Sequence, residues 1–223
     1  MLSLIVSYIP IAVASVSPVG VSIVVLLLSS RRGLAKAIAY LSATVFSFLV
    51  WGLIFLNLSF RLSAEKEAAP GAASLLLRTF LGIIFLVLAI RSYLSEQDPD
   101  APPPKWKSTL DEMGLGIVIA ISLAMGLTNL RFLLLIMVGA DSIASLQPSL
   151  LQAGSGLVLL VLAVLWPQFI PLGIYLAAGE EAEKALASMD SWLAENAHLI
   201  NTAILGLIGI VLLLSGLLGW RAA

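Results

Sequence analysis

The sequence predicts an all-α integral membrane protein whose six transmembrane helices form two inverted three-helix repeats. Three observations predict it. First, 60% of the 223 residues are hydrophobic and 11% charged, with a mean hydropathy of +1.07. Soluble domains carry about 25% charge, so surface charge has been exchanged here for lipid-facing side chains. Second, six apolar runs each approach the roughly 20 residues a helix needs to cross a bilayer. Third, two of those runs, one in each half of the chain, are interrupted at matching depths, a mark of inverted repeats.

The first run, Leu4–Leu28, carries Ala12-Val13-Ala14, which resembles a signal-peptide cleavage site. No Lys or Arg precedes it and the apolar stretch continues past Pro18, so a retained helix is expected. It is broken at Ser15-Val16-Ser17-Pro18-Val19-Gly20. Proline removes a backbone bond, and small polar neighbours can satisfy the freed carbonyls. The second run, Ala37–Asn57, carries Tyr40, Thr44, Ser47 and Trp51 at helical spacing, a polar stripe expected to turn inward. The third is Leu75–Leu94, with Arg78 and Arg91 near its ends, where they snorkel to the interface.

A Pro-rich spacer, residues 98–108, follows the first repeat, residues 1–97, and precedes the second, residues 109–223. The fourth run, Gly114–Gly139, is interrupted at Gly126-Leu127-Thr128-Asn129 and holds Arg131. The fifth, Leu150–Leu176, contains Pro167 and Pro171 and should kink twice. Residues 179–196 then place Ala182, Leu186, Met189 and Leu193 on one face of a helix. That segment either lies at the membrane interface or extends the sixth run, Leu199–Trp220. Ser215 and Gly219 give this run a small-residue face suited to a helix contact or a homodimer.

Orientation follows from basic residues near the span ends. Arg31, Arg32, Lys36, Arg91, Lys105, Lys107 and Lys184 fall on one side, and Arg61, Lys66, Arg78 and Arg221 on the other. Both termini are therefore expected outside the cytoplasm. A net charge of −1 offers no footprint for nucleic acid. The absence of cysteine excludes disulfides and thiolate chemistry, and a single histidine, His198, cannot build a transition-metal site. No nucleophile–base pair or metal set is visible, so neither an enzyme nor a cofactor is expected.

Arg131 is the most informative residue. A guanidinium at this depth costs roughly 3 kcal/mol on insertion scales. From Gly139 it lies eight residues down, about 12 Å, which an arginine stem does not quite cover. It is either satisfied by carbonyls of the interrupted first helix, or it clamps a phosphate, sulfate or carboxylate, which its fork matches bidentately. Asn129, Thr128, Ser17, Pro18 and Ser15, with Tyr40 and Thr44 of the second span, complete the expected substrate site. Each polar residue can equally serve as glue between helices.

The chain resembles the GAP family, peptidoglycolipid-addressing-type proteins of the LysE transporter superfamily. The resemblance rests on Ser17-Pro18 running into Ser30-Arg31-Arg32-Gly33-Leu34-Ala35; on Pro104-Lys105-Trp106 leading through Leu110-Asp111; on Asn129-Leu130-Arg131-Phe132-Leu133-Leu134-Leu135; and on Tyr175-Leu176-Ala177-Ala178-Gly179-Glu180. The family pattern in span four is similar to Asn-Pro-Lys-Asn. Here Asn129 and Arg131 match its first position and its charge, while Leu130 replaces proline and Phe132 the second amide, which predicts a milder interruption than in relatives. The resemblance implies six helices in a bacterial cytoplasmic membrane and the export or addressing of a lipid or other anionic amphiphile, with membrane lipids as partners. Two alternatives stay open: a non-transporting scaffold or assembly subunit of a larger export complex, and an amino-acid-type exporter. No carboxylate lies well inside a span to couple transport to protons.

Overall fold

A computed structural model describes residues 2–64, 72–94, 113–146, 148–178 and 181–222, and these are helical almost throughout, with no strand among them. In chain order they form α1 (Leu2–Ala14), α2 (Pro18–Ser29), α3 (Gly33–Ala64), α4 (Ala72–Leu94), α5 (Leu115–Thr128), α6 (Leu130–Ala144), α7 (Leu150–Ala178) and α8 (Ala182–Ala222). Three of them, α3, α7 and α8, are long and apolar enough to cross a membrane, and five spans result if each bent pair counts as one. The expected third span lies within the 23-residue α4, of which Gly82–Leu94 is apolar. The Pro-rich spacer, with Lys105 and Lys107, lies outside the described residues.

Both expected interruptions are present. α1 and α2 meet at 66°, and α5 and α6 at 64°. The first break follows from Pro18, which lacks an N–H and whose ring excludes the carbonyl of residue 14 from helical pairing. Ser17 then caps α2, its hydroxyl accepting from the Gly20 N–H at 3.3 Å. The second break contains no proline, yet its angle is nearly the same. Asn129 there leaves the helical region (φ −78°, ψ 85°) and its side-chain oxygen accepts from the Phe132 N–H, so one amide both ends α5 and caps α6.

Between α2 and α3 the chain reverses in three residues. Arg32 takes a left-handed conformation (φ 60°), and a Cβ on Gly33 would lie 2.0 Å from the Leu28 carbonyl oxygen, so only glycine fits.

Packing is reciprocal between the halves. α3 lies against α5 and α6, α7 lies against α1 and α2, and α4 pairs with α8. One core cluster joins α1, α3, α6 and α7 through Phe48, Ile136, Leu160 and Val164. The other joins α2, α3, α5 and α8 through Val24, Leu27, Val118 and Leu186. Large side chains such as Phe46 (62% exposed), Leu130 (67%) and Leu151 (84%) face outward, a surface suited to hydrocarbon rather than water.

α8 is a continuous helix of 41 residues. Of the two readings of its amphipathic start, the structure shows an extension of the last apolar run: Ala182, Leu186 and Leu193 are buried, the leucines beside α2, while Trp192 is exposed. His198 stacks on Tyr93 of α4, and its Nε2 lies 3.2 Å from the Tyr93 carbonyl oxygen.

Three hydrogen bonds secure α1 to α7. Tyr8 donates to the Gly156 carbonyl (3.1 Å), Trp166 Nε1 to that of Ala12 (2.9 Å), and the Ser15 hydroxyl approaches that of Ala163 (3.4 Å). Tyr8→Phe should lower stability by about 1 kcal/mol, since it removes one buried bond and leaves the ring in place. Thermal unfolding of the purified protein in detergent measures that difference.

Candidate substrate site at two helix breaks

The carbonyls freed at the first break can be followed one by one. The Val13 oxygen is taken by the Val16 N–H and the Ala12 oxygen by the Ser15 hydroxyl and Trp166. The Ala14 oxygen, the one that Pro18 orphans, accepts from Arg131 Nη2, as does the Val16 oxygen at 2.7 Å. Arg131 sits in the first turn of α6, so the second break delivers the donor that the first requires. It turns in onto the break between α1 and α2. This is the carbonyl-satisfying arrangement of the two open in the sequence, and it leaves Arg131 Nε without a partner among the described residues.

In front of that junction lies a polar cavity of about 60 Å³ whose walls include Ser17, Tyr40, Thr44, Ser122, Asn129 and Gln168. The space suits roughly four ordered waters or the oxygens of one small anionic group. Four of the expected site residues, Ser17, Tyr40, Thr44 and Asn129, thus come together from α2, α3 and the α5–α6 break. Pro18 is buried at the start of α2 beside them. Neither Pro18 nor the other three line the cavity. Ser15 is buried with its hydroxyl on the Ala12 carbonyl, and Arg131 is held on the Ala14 and Val16 carbonyls. Thr128 is exposed, with its hydroxyl turned back to the Ala124 carbonyl of its own helix.

Electrostatically, each break sets a helix C-terminus beside a helix N-terminus. Their partial charges, about half a unit each and opposite in sign, largely cancel. What remains is the full charge of Arg131, and no carboxylate pairs with it among the described residues. Both N-terminal caps, Ser17 and Asn129, line the cavity. The arrangement is a small, partly polar cavity in an apolar bundle, walled by both helix caps, with Arg131 close by in the first turn of α6.

The family model of Sap, the sulfolipid-1-addressing protein, matches residues 9–218. The chain belongs to this family. The match covers both breaks and the whole cavity, and it agrees with the lipid-addressing membrane character that the residues suggested. No curated protein and no solved structure matches the chain.

In this family member two cavity residues escaped the sequence reading. Ser122, 0% exposed, lies two turns before Asn129 on one face of α5, a spacing that could have found it. Gln168, 3% exposed, is the only amide in the apolar stretch from Ala153 to Ala178, and it stands between the two prolines that predict the kinks. Its Oε1 has no partner among the described residues. Gly20 makes room for it: a Cβ there would lie 3.0 Å from Gln168 Nε2.

Proposed function

We propose that this chain is an export factor that moves an anionic amphiphile, with a sulfolipid as the first candidate, across a bacterial cytoplasmic membrane. The observation that carries the reading is a half-buried guanidinium with no carboxylate partner among the described residues, next in the chain to a small polar cavity that two helix caps line. The family's name, sulfolipid-1-addressing protein, supports the choice of cargo. A sulfated head would offset the charge that the helix ends leave over, and Gln168 and Tyr40 would accept from or donate to its neighbouring hydroxyls.

In this reading the protein has six spans as two inverted repeats: α1 with α2, α3 and α4, then α5 with α6, α7 and α8. The near-equal bends and the reciprocal packing of α3 and α7 support it. The same features support a place within the LysE superfamily. Both termini lie outside the cytoplasm, by the bias of Arg31, Arg32 and Lys36. Its work is transport rather than catalysis, its partner the membrane lipid itself.

A flip assay tests the proposal. Purified protein is reconstituted into phosphatidylcholine vesicles with a trace of head-labelled sulfolipid or of head-labelled phosphatidylcholine. Protein-dependent crossing of the anionic lipid, faster than that of the zwitterionic one, is expected. Crossing of neither lipid would overturn the transport role and favour an assembly subunit of a larger export complex.

A further inference from the structure

A second cavity adjoins the first. About 230 Å³ lies between α2 and α5, walled by Ile23, Leu27, Val118 and Ile121, with Met113 at its outer end. Its lining side chains are apolar apart from the Tyr40 hydroxyl, whereas the 60 Å³ cavity mixes hydroxyls and amides with apolar walls. The two share a wall, because Val19, Tyr40 and Met125 line both. Tyr40 therefore stands at a boundary between a polar compartment and an apolar one.

The groove has the dimensions of a chain site. From Met125 back to Leu115 it follows α5 for ten residues, or about 15 Å, with Met113 just before the helix. Val19 is 50% exposed and Ile121 36%, so the groove opens sideways to the surface that faces hydrocarbon. Beside Met113 at its far end, added Cβ atoms on Gly114 and Gly116 would meet nothing within 4 Å among the described residues. Met113 and Met125 give the walls flexible thioethers, which adapt to chains of differing shape. A polar head alone would need the first cavity and nothing more; a ligand filling both is polar at one end and hydrocarbon at the other.

We propose that the groove between α2 and α5 holds a hydrocarbon chain of the amphiphile whose anionic head occupies the polar cavity. This rests on the export reading above and assigns the cargo's chain a fixed path, so that head and tail are bound together rather than the tail trailing free in lipid. Tyr40, at the boundary, sets how deep the head enters.

The test uses a long-chain alkyl sulfate carrying a diazirine on its terminal carbon, at trace level in phosphatidylcholine vesicles holding the protein. After illumination, labelled peptides are located by mass spectrometry. Labelling should concentrate on α2 and α5. Ile121→Trp and Val19→Trp, which fill the groove from opposite walls, should each lower it roughly tenfold, the factor that an overpacking penalty of this kind gives. Phe46→Trp, on the lipid-facing side of α3, should leave it unchanged. Circular dichroism confirms that each variant is folded.

Labelling spread over all lipid-facing helices, or insensitive to both groove variants, would overturn the proposal even if sulfolipid flipping stands. Groove labelling of equal strength by the matching alkyl trimethylammonium probe would support the chain path and sink the anionic head reading instead.

Discussion

Arg131→Ala is expected to abolish flipping of the anionic lipid and to destabilise the protein by about 3 kcal/mol. Two carbonyls, those of Ala14 and Val16, lose their charge-assisted donor at a depth where no other is at hand. Hydrogen bonds to a charged group contribute about 1.5–3 kcal/mol each, and buried acceptors left unsatisfied cost a further share. Arg131→Lys separates the two roles. An ammonium keeps the charge but is a single point on a flexible stem, so it should hold one carbonyl well and the other poorly. Partial recovery of both stability and flipping is expected. Arg131→Gln keeps a donor and loses the charge, so stability should recover more than flipping. Thermal unfolding beside the flip assay reads both quantities, and full flipping by the glutamine variant would remove the guanidinium from any part in holding the cargo.

Gly82→Val should uncouple α4 from α8. A Cβ on Gly82 would lie 2.6 Å from the Leu213 backbone nitrogen, and one on Gly209 would lie 2.8 Å from Leu86 Cγ. The two helices approach through these glycines, and a main-chain atom cannot step aside as a side chain can. Inserted bulk in a packed interface costs about 1–3 kcal/mol, and here it must separate two whole helices. The cysteine-free sequence offers a clean readout. Ser92 and Thr202 face each other across the pair with hydroxyls 3.0 Å apart. Ser92→Cys with Thr202→Cys should cross-link readily on mild oxidation, and Gly82→Val in that background should suppress the cross-link. Unchanged cross-linking would mean that α4 and α8 hold together without the glycine contact.

These contacts show which parts of the molecule the sequence could declare. Local chemistry was legible: Pro18 after two serines marks a break without any knowledge of neighbours, and Asn129 between apolar residues marks another. The inward turn of Tyr40, Thr44 and Ser47 followed from spacing, and all three are buried. Pairing across the bundle was not legible in the same way. That the guanidinium of one break would satisfy the carbonyls of the other was one of two outcomes allowed by its charge and depth, and only the fold chooses. Thr128 shows the limit of reading by proximity. It adjoins Asn129 in the chain, yet a step of one residue on a helix turns a side chain about 100°, and it faces outward. Gln168 was hidden for another reason, since the two prolines beside it offered a sufficient explanation of the stretch. On α8 the small-residue face that packs is Gly209 against α4, whereas the Ser215 hydroxyl bonds within its own helix.

The length of α8 has a mechanical consequence. Its 41 residues make a rod of about 62 Å. Near one end Leu186 and Leu193 pack in one cluster with α2, and farther along Gly209 locks into α4. A rod clamped at two points behaves as a tie-bar. Any swing of α2 that widened or narrowed the 66° elbow would have to drag the bar lengthwise or shear its leucine grip, so the elbow and the outlying α4 must move as one linkage.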